Sequence, residues 1–228
     1  VTTEFLPSRH GFAFPNSWPS QPGLVLPIPR GHSLAIGNAA RGLCGGMVFA
    51  ALDYWHEQSE PPVARPDAGA PLYQFIVRRL IDSWHIPSGV LRYYNWMNLP
   101  DGDVRIARPP RLRRGVSWRT IDRHWPSVRA SIDSGQPAAL GVVTVASWWP
   151  GALGHNHQVL AYGYEESGSE VRIAVYDPNS GPDDGVRIAF STAAPETPTK
   201  FAHNIGIGRP VRGFFRTDYS AATPPVVG

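Results

Sequence analysis

The chain holds one thiol, Cys44, within Gly42-Leu43-Cys44-Gly45-Gly46-Met47. Apolar residues recur at helical spacing from Leu43 through Met47, Val48, Ala51, Leu52 and Trp55, which predicts a helix from about Leu43 to His56 with the thiol at its start. Unpaired amides and the positive end of the helix dipole favour a thiolate at such a place. The flanking glycines would let a substrate backbone approach closely. On its own, the segment reads as well as a small buried hydrophobe heading an apolar helix.

Two later segments carry the partners a nucleophilic thiol needs. Gly154-His155-Asn156-His157-Gln158-Val159-Leu160 sets a histidine pair at the entrance of a buried strand, and Val171 to Tyr176 is a strand running into Asp177-Pro178-Asn179. A thiol catalyst needs an imidazole to hold the ion pair and move the proton, and a carboxylate or amide to orient that imidazole. His155 and His157 are two apart and share a face of the strand, so either suits the first role. Asp177 or Asn179 suits the second. Cys44, His155, His157 and Asp177 together would also be a zinc donor set, but a His-x-His pair with a distant Cys is a weak metal signal. No metal or cofactor is therefore expected. Gly206-Ile207-Gly208 is too short to read as a phosphate loop and precedes no convincing helix.

Other elements must position these groups. A helix is predicted over Pro71 to Trp84, with Leu72, Phe75, Ile76, Leu80 and Ile81 as its stripe, and another from Ser117 or Trp118 to Ser134, stopped by Gly135. Residues 87–116 read mostly as loop. Strands are predicted at 137–146, 157–164, 170–176, 186–190, 201–207 and 211–218. Helices first and strands second give an α+β fold with a mostly antiparallel sheet in one domain. Within it, residues 1–40 form an irregular lead segment packed through Phe5, Phe12, Phe14 and Trp18. Residues 41–135 are a mainly helical lobe, 136–219 a β lobe, and 220–228 a frayed tail.

The stretches Gly42 to Tyr54, Val128 to Val143 and Gly154 to Pro178 resemble the papain-like cysteine peptidases. The His and Asp segments are most similar to the bacterial branch that cleaves leader peptides in bacteriocin export. Val128 to Pro137 resembles that family's helix and Gly-x-Pro turn, and the run His157-x-Val-x-x-x-Gly-Tyr with Asp177-Pro178 is the most specific match. The resemblance implies a helical lobe packed against a β-sheet or barrel lobe, with Cys44 as nucleophile, His157 as base and then acid, and Asp177 as orienting group. It also implies Asn38 as oxyanion donor, where the family has a Gln, one methylene longer. A good donor of this kind is worth ~10²–10³ in rate. The tryptophan that follows the nucleophile in plant and lysosomal members is absent, so their peptide specificity is not carried over.

Composition narrows the remainder. With 228 residues and 42% hydrophobic content the chain has the apolar mass for a core, which argues against disorder. A single Cys excludes an internal disulfide. The longest apolar run, Ala138 to Ala146, is far short of the ~20 residues of a membrane helix, so no membrane span is expected. The compartment stays open, secretion or delivery as a toxin included. Eight arginines between Arg105 and Arg129 face only Asp122. Such a run is a solvated surface or a site for an anionic partner, here an acidic substrate near the cleft. Trp55, Trp96, Trp148 and Trp149 are candidates for lining a substrate groove. The reading that follows is a thiol hydrolase acting on protein or peptide, with no nucleic-acid partner. An acyltransferase of transglutaminase type with the same triad is the alternative, or an inactive papain-like binding module.

Overall fold

The structure is a computed structural model. It describes residues 1–18 and 43–226 in full and, between them, the backbone of strands at 22–28 and 32–38. A six-stranded antiparallel sheet, curled into a half-barrel, forms the second half of the chain. Its strands are β5 (Ala138–Val143), β6 (His157–Ser167), β7 (Glu170–Tyr176), β8 (Arg187–Ser191), β9 (Ala202–His203) and β10 (Gly213–Arg216), in spatial order β10-β5-β6-β7-β8-β9. The fold is thus mixed helix and antiparallel sheet.

Alternation along the central strands divides the core, because successive side chains point to opposite faces. Leu160, Tyr162 and Tyr176 join one cluster with the buried helix α2 (Cys44–His56) and with α3 (Pro71–Ser83). Val159, Ala161 and Val175 join the other, with Val128 and Ile132 of helix α6 (Trp125–Asp133). α6 follows the short helix α5 (Val116–Trp118) through a wider π-helical turn over Arg119–His124. Gly135 ends this helical stretch at φ +80, a conformation that favours glycine.

α2 lies close to its neighbours because Gly45 and Gly46 have no side chains. A Cβ on Gly46 would overlap the Ile76 carbonyl of α3, and one on Gly45 would lie 2.7 Å from the Gln158 amide. Gly45 and Gly46 therefore serve helix packing, while Gly42, on the other side of the thiol, lies outside the described residues.

The structure departs from the sequence reading in four further places. The lead segment is not irregular throughout: it holds a helical turn, α1 (Pro7–His10), and an antiparallel hairpin of β1 (Pro22–Ile28) with β2 (His32–Asn38). Residues 87–116 are not mostly loop, since α4 (Ser88–Met97) and a hairpin of β3 (Val104–Ala107) with β4 (Pro110–Arg113) occupy most of them. The strand expected over 201–207 is only two residues long. The tail does not fray over 220–225. Its Ala222 N–H donates to Asp53, its Ser220 carbonyl accepts from Arg79, and Tyr54 Oη donates to the Pro225 carbonyl. No helix among the described residues is long and apolar enough to cross a membrane.

Candidate active site

Cys44 is the first residue of α2, half-buried, and no side chain caps this helix from its N-cap position. The first intrahelical bond runs from the Met47 N–H to the Leu43 carbonyl, so the amides of Cys44, Gly45 and Gly46 have no acceptor within the helix. The Leu43 N–H is held from elsewhere: it donates to Asn16 Oδ1 at 2.7 Å.

His157 is the first residue of β6 and Asp177 follows the last residue of β7, and they meet at the same end of the sheet. His157 Nε2 lies 2.7 Å from Asp177 Oδ1, with His157 4% exposed and Asp177 fully buried. The Cys44 thiol at the start of α2 lies close enough to this ring to act on its charge. With Nε2 taken by Asp177, Nδ1 is the nitrogen left to face that thiol. Burial alone would push the imidazolium down. The charge on Cys44, then the charge and hydrogen bond of Asp177, outweigh it and raise His157 to about 10. Burial would raise Asp177, but His157 and two backbone amides hold it below the ordinary carboxylate value.

Those two amides come from Asn179, donating to Oδ1 at 2.9 Å, and from Gly206, donating to Oδ2 at 2.6 Å. Asp177 therefore has both oxygens occupied and cannot swing away from His157 without losing three hydrogen bonds. The Gly206 stretch, set aside as a phosphate loop, supplies a backbone donor to the carboxylate. Asn179 supports Asp177 rather than replacing it: its Nδ2 donates to the Gly206 carbonyl and its Oδ1 accepts from Asn16 Nδ2 at 2.9 Å.

Asn16 thus joins the two sides of the site. Its Oδ1 also accepts from Trp18 Nε1, and both N–H partners are donors only, which sets the amide's orientation. Nothing in the lead segment's sequence marks this residue. Behind His157, Tyr93 on α4 donates from its hydroxyl to the His157 carbonyl at 3.2 Å. Burial first, then the Cys44 charge, push that phenol well above its ordinary value, so it stays a neutral donor.

His155 ends the 3₁₀ turn Pro150–His155, where its carbonyl accepts from Thr144 Oγ1, and it is His157 that bonds Asp177. Asn38 is the last residue of β2, but its side chain, like all of Gly42, lies outside the described residues. Trp96 is in the core against His124 and Phe215, and Trp55 packs on Phe5. Among the described residues, neither lines the groove that the exposed Trp148 borders. Among the described residues, no group of three His, Cys, Asp or Glu side chains could hold a metal ion.

Comparison with known proteins finds no matching family model, curated sequence or solved structure. The chemistry of the site therefore rests on its own geometry. A thiol at a helix start, an imidazole beside it and a buried, fully bonded carboxylate behind the imidazole are the parts of a nucleophile, a proton carrier and an orienting group.

Proposed function

We propose that the chain is a thiol-dependent hydrolase of papain-like type, a peptidase in which Cys44, His157 and Asp177 act through an acyl-enzyme. One observation carries the reading: a buried His157–Asp177 pair at 2.7 Å, and the influence of the Cys44 thiol on the imidazole's charge supports it. The order of helices and antiparallel sheet, with the thiol on α2 packed beside β6, supports the papain-like frame.

In this mechanism the Cys44 thiolate attacks the substrate carbonyl carbon and its C=O pair moves onto oxygen. The backbone N–H of Cys44 stabilises that oxyanion, with Asn38 as the second donor. As the C–N bond breaks, His157 Nδ1 gives its proton to the departing amine and leaves a thioester. Water then attacks while His157 takes a proton from it. The C–S bond breaks, the acid is released and the thiolate–imidazolium pair returns. Asp177 keeps the ring in the tautomer and orientation both steps need. An amine in place of water would make the same site an acyltransferase, and adding a primary amine to the assay separates the two outcomes.

The test is iodoacetamide labelling of Cys44 at pH 6, followed by mass spectrometry. The single cysteine makes the readout unambiguous. The expected result is labelling at least tenfold faster in the native protein than in His157→Ala, with peptide cleavage abolished in Cys44→Ala. Equal labelling rates in the two proteins would overturn the reading.

A further inference from the structure

We infer that the groove between the end of α4, the β3–β4 hairpin and the loop carrying Trp148 is a binding site for an acidic stretch of polypeptide that also carries apolar side chains. It deepens the peptidase reading, on which it rests for taking the bound chain to be the substrate.

The groove encloses about 440 Å³, within the size range of ligand-binding pockets. Its lining is mixed: apolar side chains of Leu99 beyond α4, Val104 and Ile106 on β3 and Trp148 opposite stand beside Asn98, Ser147 and Arg113. Trp148 is 81% exposed, an unusual position for an indole with no partner to bind.

The hairpin register places charge over these apolar side chains. Val104 pairs with Arg113 and Ile106 with Arg111, and cross-strand partners share a face. Arg111 therefore stands on the same face of the hairpin as the groove-lining Val104, Ile106 and Arg113. Its neighbour Arg114 is neutralised by Asp103 at 2.6 Å. Arg113 donates only to the neutral Asn98 carbonyl, and neither Arg111 nor Arg113 forms an ion pair among the described residues. Two uncompensated guanidiniums above aliphatic side chains complement carboxylates next to an apolar side chain.

The groove is built on the helix that also touches the catalytic histidine. Tyr93 bonds the His157 carbonyl, and one turn later Met97 lines the groove. Met97 Sδ accepts from the side chain of Asn156, the residue before His157, and Tyr94 Oη donates to the Trp148 carbonyl. A chain lying in the groove would rest beside the His157 end of the sheet. A nucleic acid would also meet the arginines, but the aliphatic Leu99, Val104 and Ile106 beneath them suit apolar side chains of a peptide.

The test uses the full chain with Cys44→Ala, so that no cleavage consumes the probe. The probes are fluorescein-labelled Glu-Leu-Glu-Glu-Leu-Glu and its Lys-Leu counterpart, read by fluorescence anisotropy. The glutamate peptide should bind at least tenfold tighter than the lysine peptide and weaken with added salt. Arg111→Glu with Arg113→Glu should invert that preference, and Trp148→Ala should weaken the glutamate peptide. Circular dichroism confirms that each variant folds. Unchanged affinity in the arginine double variant, or equal displacement of the peptide by a thymidine oligonucleotide, would overturn the inference. Labelling of intact Cys44 separates it from the function it rests on. Fast labelling with no peptide preference overturns the groove alone, and slow labelling with the preference intact overturns the hydrolase alone.

Discussion

Asn16 and Asn179, 163 positions apart in the chain, meet amide to amide at 2.9 Å. Through that contact the residue before Cys44 is tied to the loop that holds the carboxylate. Leu43 N–H bonds Asn16, Asn16 bonds Asn179, and Asn179 and Gly206 both donate to Asp177. Asn16→Ala leaves the Leu43 N–H and the Asn179 Oδ1 without their partner, at a cost of ~1–3 kcal/mol. Labelling of Cys44 at pH 6 should slow about tenfold, in the range of losses that follow small misplacements of reacting groups. Asn16→Asp separates the two sides. It still accepts from Leu43 but sets an oxygen against Asn179 Oδ1, so it should keep the helix start and loosen the loop. Thermal unfolding and labelling together check this. A variant with wild-type labelling would leave Asn16 as a fold residue only.

The histidine's charge state depends on the thiol. Four influences raise His157 against burial: the Cys44 charge first, then the Asp177 charge, then the hydrogen-bonding influence of Asp177 and of Cys44. The imidazolium should therefore persist in the native protein until about pH 10, read from the ¹⁵N ring shifts of His157. In Cys44→Ala the first of these influences is lost while burial remains, so the midpoint must fall. Asp177→Asn removes the second and should lower it as well. The linked contribution to stability is fully present below 6.5, the ordinary His value, and is lost as pH rises through about 10. A midpoint unmoved by Cys44→Ala would mean that the thiol and the ring do not share charge.

How much of this was readable beforehand follows the range of each interaction. Helical spacing exposed α2 and α3, and buried β-branched runs exposed β5 to β7, because burial imposes periodicity on the residues that carry it. Cys44, His157 and Asp177 stood out because each lies at an element end with the required residue type. Helix α4 was hidden by Pro87, Gly89 and two asparagines. The β3–β4 hairpin was hidden because seven of its eight strand residues are exposed, so no alternation marks it. Asn16 had no local signal at all, since its role arises from partners 27 and 163 positions away. The Gly45-Gly46 pair was visible but misread, since the close approach it permits is to Ile76 and Gln158.

Asp53 is fully buried on α2 and bonded to Arg79 of α3 at 2.7 and 3.1 Å, to Tyr219 Oη and to the Ala222 N–H. Arg79 lies over the rings of Phe49 and Tyr219 and also bonds Asp82 and the Ser220 carbonyl. Asp53→Ala leaves the buried Arg79 with Asp82 as its one remaining carboxylate partner, so it should cost the low end of the ~3–5 kcal/mol that breaking a buried pair costs. Replacing both by apolar residues, Asp53→Leu with Arg79→Met, should recover part of that loss. Urea unfolding measures both. Limited proteolysis should also cut the segment after Tyr219 faster in Asp53→Ala, because the tail loses its anchor. Equal loss in the single and double variants would show that the pair acts through geometry rather than charge.

His124 sets an acid limit to stability. It packs between Trp96 and Phe215, and its Nδ1 accepts from the Arg216 N–H. Burial first, then Arg123, Arg92 and Arg119, lower it to about 4, with only Asp218 opposing. The unfolded chain takes a proton near pH 6.5 while the folded chain waits until about 4. Between those values unfolding binds more protons, and stability falls as the pH falls. Over the full window the loss is of order 2–3 kcal/mol. His124→Gln keeps an acceptor for Arg216 and removes the titration. Urea unfolding at pH 6.5, 5 and 4 should show the wild type losing more stability than His124→Gln across the window, with the two curves parallel above 6.5. Parallel curves throughout would mean that His124 protonates in the folded state at its ordinary value.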